Sequence, residues 1–344
     1  MKQYRAAAGL ILSAAFLYLA FRETDWGRTW AVMRTVSWPW FLPAAVALVG
    51  HFYLRAVRWR YLLLPAADLS ANALFGPMMI GFMVNNVLPL RVGEFARAWA
   101  LARRTTVSGP AALATIVVER IFDGLMLLLL LLVSAPFLPI QTNPQIDALI
   151  RALLAAASVI YAAAVAVIVL LKWRSTWALK ALDRIRDRFP RAHAFLHRLV
   201  TAFVTGLDAV GDWRLMLAAA AWSLPVWLVC GLFYYLTMLA FTGPGGVNLG
   251  ASVGFFGGVF VLVGVALGVM LPSSPGFVGA FQLGVVAALA ALGFTGPLAD
   301  GYAILVHVIQ YVPVTLIGLF FLYRQNFSLR QARRESEKLS GGTT

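Results

Sequence analysis

The sequence predicts an all-α polytopic membrane protein of about six full spans plus two broken, re-entrant hairpins, arranged as an inverted repeat. Three observations lead there. Only 12% of the 344 residues are charged while 61% are hydrophobic, and the mean hydropathy is +0.82, whereas a soluble domain carries about 25% charged residues. Several apolar runs approach the ~20 residues a helix needs to cross the hydrocarbon core, and the alternation of a β-barrel is absent. Two of the runs are also interrupted at a constant offset. Gly81, Leu88 and Pro89 align with Gly264, Leu271 and Pro272, and Gly93 and Gly276 each lie four residues past the proline. Paired Gly/Pro interruptions in two halves are the sequence mark of discontinuous helices meeting at a binding site.

The same composition excludes other classes. The formal net charge is +14, but the Lys and Arg lie in short blocks beside apolar runs, as in cytoplasmic loops. No basic domain is present to carry nucleic acid. The lone Cys230 allows no intrachain disulfide. Residues 1–20 resemble a signal peptide, yet Phe21 and Arg22 lack the small-residue cleavage pattern, so a retained first span is expected.

Taken in order, the first span covers about 6–21, and Lys2 and Arg5 set its start in the cytoplasm. A mixed-charge loop runs through Trp38. The second span, about 40–54, ends at Arg55, Arg58 and Arg60, read as a basic cytoplasmic edge. Trp38, Trp40 and Trp59 suit interfacial belts. An apolar run over 71–90 leads to the first break, and Arg97, Arg103 and Arg104 follow it, so both ends of this hairpin face the cytoplasm. Two full spans would give the same parity. The third span, about 113–133, carries Glu119, Arg120 and Asp123 in its first half. A proline-rich outside loop over 134–147 and a fourth span over 152–171 come next. The polar segment 172–214 is basic with helically spaced apolar residues. It reads either as interfacial helices on the anionic inner leaflet or as a solvated loop that only sets topology. Beyond it lie a span over 215–241, a second apolar pair over 249–292 broken at 272–276, and a last span over 302–323. The membrane domain is thus 1–325, with repeats over about 1–140 and 150–325, followed by a cytoplasmic tail over 326–344. Both termini are expected in the cytoplasm of a bacterial inner membrane.

The stretch Val84 to Arg97 concentrates the polar groups. Asn85, Asn86, Pro89 and Gly93 break the helix, and irregular backbone at membrane depth survives only where protein or a wet cavity covers it. Arg91, Glu94 and Arg97 at i, i+3 and i+6 are expected on one face of the resuming helix. With Glu119, Arg120 and Asp123 they make a balanced set of three positive and three negative groups. That set reads in two ways. It is a neutral network pinning the hairpin against the third span, or a site where a lipid phosphate binds Arg91, Arg97 or Arg120 while Glu94, Glu119 or Asp123 balances charge or takes a proton. In the second break, Ser273, Ser274 and Gln282 are candidates for a headgroup or for satisfying loosened backbone. Pro89, Gly93, Pro272, Pro275, Gly276 and Gly279 set hairpin geometry. His193 and His197, at i, i+4, have no carboxylate in register, so no metal is expected. His307 reads as a packed polar residue. No phosphate-binding glycine loop, serine elbow or zinc motif occurs, and neither a cofactor nor enzyme chemistry is expected.

Three ordered motifs, Asn86-x-x-Pro89-x-Arg91-x-Gly93-Glu94-x-x-Arg97, Glu119-Arg120-x-x-Asp123, and Leu271-Pro272-Ser273-Ser274-Pro275-Gly276 with Gly279, resemble the lysylphosphatidylglycerol synthase transmembrane-region family of flippase-like membrane proteins. The resemblance covers about residues 5–325. It implies the lipid-translocating half of such synthases, in a stand-alone form without the aminoacyltransferase domain, so aminoacylation is not implied. Stand-alone members are also linked to glycolipid, polyprenyl-lipid and hopanoid pathways. The expected function is movement of an anionic, aminoacylated or polyprenyl lipid between leaflets, with membrane lipids as partners. The alternatives are a non-transporting scaffold that docks a lipid-modifying enzyme through 172–214, and an intramembrane transferase.

Overall fold

The computed structural model describes residues 2–88, 91–138, 190–270 and 274–325, together with residues 159, 162, 163 and 166. Pro89, Pro272, Ser273, the span over 152–171 apart from those isolated residues, most of the 134–147 loop, the basic stretch 172–189 and the tail 326–344 lie outside the described residues. Among the described residues all regular structure is helical, apart from one isolated bridge between Thr242 and Asn248. The helices are α1 (Lys2–Phe21), α2 (Trp26–Arg34), α3 (Phe41–Leu63), α4 (Ala71–Val87), α5 (Gly93–Ala102), α6 (Gly109–Ser134), α7 (Pro190–Gly206), α8 (Trp213–Leu239), α9 (Leu249–Met270), α10 (Ala280–Ala291) and α11 (Pro297–Arg324). Four segments among them are long and apolar enough to cross a membrane: Trp38–Leu63, which contains α3, and α8, α9 and α11.

Two elements differ from the sequence expectation. Part of the loop after the first span is helical: Asp25 caps α2 by accepting the Arg28 N–H at 3.0 Å, a standard side-chain N-cap. The second span does not end at a basic edge. Helix α3 runs on to Leu63, and Arg55 and Arg58 are buried within the bundle, while only Arg60 stays outside, paired with Asp68 at 3.0 Å. Both buried arginines find carboxylates on α6, which removes the reason for the helix to stop at the interface.

Helices α3 and α8 form the centre of the packing, α4 lies against α11, and α6 lies against α9. Lipid tails are as apolar as leucine, so helices in a bilayer associate through close packing rather than through hydrophobic exclusion. Small residues supply that closeness in both hairpins. A Cβ on Gly81 of α4 would sit 2.8 Å from the Gly93 carbonyl and from Arg97 Cβ on α5. In the second hairpin a Cβ on Gly264 of α9 would sit 2.7 Å from the Gly284 carbonyl on α10. Helix α9 is kinked at Gly254, whose φ of 64° and ψ of −170° leave helical space.

The two breaks meet each other. Helix α4 ends where Leu88 turns extended, and Arg91 takes a left-handed φ of 53° before α5 begins at Gly93. Opposite it, the turn Pro275–Phe277 has Gly276 at φ 72° and Phe277 at φ 59°. The Arg91 guanidinium donates to the Val269 carbonyl at the end of α9 and lies 5.6 Å over the Phe277 ring. Asn86 Nδ2 donates to Thr315 Oγ1 on α11 at 2.9 Å, and the Tyr311 hydroxyl donates to the Asn86 carbonyl at 3.3 Å. Backbone freed by the first break is thus covered by the second hairpin and by α11, as irregular backbone at membrane depth requires.

Candidate functional site

Beneath the first break lies a buried ionic cluster whose charges come from three helices, with a fourth, α8, packed against it. Glu119 and Asp123 stand one turn apart on α6 and point at α3, α5 and α8. Arg97, one turn into α5, grips Glu119 with both ends of its fork, Nη1 to Oε1 at 3.0 Å and Nη2 to Oε2 at 2.8 Å. From α3, Arg55 Nη1 reaches Asp123 at 3.1 Å and Glu119 at 3.3 Å, and Arg58 Nη2 lies 2.8 Å from Asp123 Oδ1. Arg120 donates to its neighbour Glu119 at 2.7 Å and lies 3.4 Å from Asp123. Glu119 and Arg58 are fully inaccessible, and only Arg120 retains substantial exposure, 41% of its side chain.

Aromatic and polar neighbours fix these groups. Trp227 Nε1 on α8 donates to Asp123 Oδ1 at 3.1 Å, and Arg58 Nη1 donates to Ser223 Oγ at 3.0 Å. Arg97 lies 3.7 Å over the Trp59 ring and Arg55 4.9 Å over the Trp227 ring, in cation–π geometry that a desolvated guanidinium favours. His51 orients Arg55. Its Nδ1 meets the Val226 carbonyl at 2.8 Å and its Nε2 meets Arg55 Nε at 3.1 Å. A carbonyl only accepts and a guanidinium only donates, so Nδ1 carries the proton and Nε2 accepts.

The charges do not balance. Four guanidinium groups face two carboxylates in direct contact, with Glu94 a third carboxylate at the notch beside Arg97 and Arg120, so the cluster holds two arginines, Arg55 and Arg58, that the balanced set read from the sequence did not include. Arginine stays protonated in proteins, so the cluster carries a formal excess of two positive charges among the directly paired groups and of one when Glu94 at the notch is counted. Among the described residues the Nε atoms of Arg58, Arg97 and Arg120 are buried without a hydrogen-bond partner. A narrow notch lined by Asn85, Glu94, Arg97 and Arg120 leads to this surplus from the first break. Its volume is about 10 Å3, room for a single water.

The candidate residues from the sequence divide between two places. Arg97, Arg120, Glu119 and Asp123 converge in the cluster, and Glu94 and Asn85 line its notch. Asn85 also accepts the Gly93 N–H at 2.8 Å and approaches Glu94 at 3.5 Å. Arg91 and Asn86 turn instead to the second hairpin. Arg91 precedes α5 in left-handed backbone, so Arg91, Glu94 and Arg97 do not share one helix face. In the second hairpin the Ser274 N–H donates to Ser13 Oγ at 2.7 Å, and Ser274 Oγ lies 3.4 Å from the Pro275 carbonyl. Gln282 accepts the Gly279 N–H at 2.8 Å and donates to His307 Nδ1 at 2.8 Å, while His307 Nε2 donates to the Gly276 carbonyl at 2.9 Å. Gly279, at φ 88°, and Gly276 hold left-handed backbone that other residues rarely adopt. Sequence reasoning missed Arg55, Arg58, His51 and Trp227. The signal was there for three of them: His51, Arg55 and Arg58 fall at i, i+4 and i+7, one stripe of a helix.

The chain is 24% identical over 307 residues to a UPF0104 membrane protein of Methanothermobacter thermautotrophicus, covering 84% of this chain and 85% of that one. It is 26% identical over 362 aligned positions to the glycosyltransferase AglD of Haloferax volcanii, covering 96% of this chain but only 56% of that relative's length. No solved structure matches the chain. Residues 6–318 match the lysylphosphatidylglycerol synthase transmembrane region, and the chain, with its helical bundle and paired broken helices, belongs to that membrane-protein family.

Proposed function

We propose that the protein moves a lipid with an anionic headgroup between the leaflets of a cytoplasmic membrane, as a non-catalytic translocator with both termini in the cytoplasm. The observation that carries this reading is the buried surplus of positive charge under the first break. Leaving buried cations without full compensation is costly, and a phosphate offers oxygens for the unpaired Nε donors in the bidentate geometry arginine favours. In the present conformation the notch admits a water but no headgroup, so binding requires the α4–α5 hairpin to move. Arg97 and Arg120 then take the headgroup, while Glu119 and Asp123 keep the remaining arginines apart and Glu94 guards the entrance. Arg91 ties the two hairpins together and is released when they part.

The reading includes an inverted repeat of six full spans and two hairpins, and the helix packing is the observation that supports it. Pairing α3 with α8, α4 with α9, α5 with α10 and α6 with α11 maps the α4–α11 packing onto the α9–α6 packing, and α3–α8 onto itself. Rocking of two such halves about a midplane site is how repeat transporters alternate access.

The test is reconstitution in proteoliposomes with headgroup-labelled phosphatidylglycerol, its lysyl form and a polyprenyl phosphate, read with a membrane-impermeant quencher. Protein-dependent movement of one of these lipids, lost in Arg120→Gln, is the expected result. No movement of any lipid by the folded protein overturns the reading.

A second reading draws on the longer relative named a glycosyltransferase. In it the chain is a membrane scaffold for a lipid-modifying enzyme docked on the basic segment 172–214. Charge reversal there would abolish pathway output in the scaffold reading and only weaken it in the translocator reading.

A further inference from the structure

Apart from the arginine cluster, with which it shares no lining residue, an open-sided crevice of about 470 Å3 lies between α1, α2, α10 and α11. Leu17 and Phe21 of α1 and Ile304 of α11 form its walls, Gln282 of α10 its buried end, and Arg22 and Trp26 its exposed rim. This size, with apolar walls and one or two placed polar groups, is that of small-molecule sites, which run to about 300–1,000 Å3.

Its position determines what reaches it. Trp26, Trp30, Trp38 and Trp40 are all exposed, three of them by about 60% and Trp40 by 38%. Exposed tryptophans in such a ring sit at the headgroup level of a bilayer. The rim is therefore at the interface and the walls lie below it, where the surrounding solvent is lipid hydrocarbon. The one charged side chain on the rim, Arg22, is paired with its neighbour Glu23 at 3.1 Å, and the walls are apolar, so the crevice suits a chain rather than a headgroup charge.

We infer that this crevice binds one hydrocarbon chain of a membrane lipid, acyl or isoprenoid, with its head at the Arg22–Trp26 rim. The site is wired to the second break. The Gln282 side chain at its end accepts the Gly279 N–H and donates to His307, which donates to the Gly276 carbonyl. A chain packed against Gln282 therefore bears on the residue that holds the start of α10. The helices on either side are themselves joined by the Thr24 hydroxyl, which donates to Asp300 at 2.8 Å, so the crevice is a formed feature of the packing. The inference stands independently of the translocator reading, because it concerns binding alone.

The test uses purified protein in nanodiscs containing either a phosphatidylglycerol with a diazirine-bearing acyl chain or a diazirine-bearing polyprenyl phosphate, with adducts mapped by peptide mass spectrometry. The expected result is adduct formation concentrated on residues 17–26 and around Ile304 with at least one of the two probes. Ile304→Trp, which fills the crevice, should lower those adducts by at least about fivefold while adducts on the outer face of α8 stay unchanged. Leu17→Trp serves as a second filling variant if the first melts early. The probe that labels identifies the chain. Adducts spread evenly over all lipid-facing helices, or undiminished in both filling variants, overturn the inference. Translocation assays do not enter this test, so failure of one reading is not failure of the other.

Discussion

Arg97 holds Glu119 by a two-point fork, at 3.0 and 2.8 Å, in a site where the carboxylate has no exposure and the arginine side chain 3%. The pair ties the helix after the first break to α6, and everything else in the cluster is arranged around that tie.

Because cations outnumber carboxylates, the two kinds of deletion should differ. Glu119→Gln leaves four guanidinium groups with Asp123 as the one carboxylate in direct contact and Glu94 at the notch, and should destabilise by about 3–5 kcal/mol, the usual cost of orphaning buried charge. Arg97→Met leaves Glu119 with Arg55, Arg58 and Arg120 and should cost clearly less. Thermal melting in detergent of the two variants checks the order; equal losses would mean that the surplus is compensated by something else.

The close approach of α4 and α5 depends on Gly81. Gly81→Ala places a Cβ 2.8 Å from a carbonyl oxygen and should cost about 1–3 kcal/mol through overpacking, read as a lower Tm in detergent. Gly109→Ala meets no atom within 4 Å and should leave Tm unchanged.

His51 joins α8 to Arg55 through one donated and one accepted hydrogen bond. His51→Phe keeps the ring but strands the Val226 carbonyl and Arg55 Nε. A loss of about 1–3 kcal/mol is expected, the cost of buried groups without partners. A variant as stable as the parent by urea or thermal unfolding would show that neither bond matters.

Arg91 bridges the two hairpins from an exposed position. Arg91→Ala should lower stability by about 1 kcal/mol or less, the net worth of one hydrogen bond. It should nevertheless speed amide hydrogen exchange in residues 91–93 and 274–279, because the tie between the breaks is gone. Unchanged exchange at both breaks would remove Arg91 from the role of a tie.

The class of the protein and the places where its helices break are written in its sequence, because composition fixes the solvent and because Pro and Gly act on the backbone locally. Glu119, Arg97, Arg120 and Asp123 were legible for the same reason, since charge in an apolar run stands out. Arg55 and Arg58 were not. A basic pair at the end of an apolar run is the usual mark of a cytoplasmic edge, and only the packing of α3 against α6 turns it into the buried half of an ion cluster. Arg91 went the other way: helical spacing puts it beside Glu94 and Arg97, but its left-handed backbone sends it to the opposite hairpin. Local propensity therefore determined the elements, while the sign of the site, a surplus of positive charge rather than a balance, was decided by contacts between helices far apart in the chain. Coulomb interaction depends on distance in space, and sequence spacing carries that distance only within one helix.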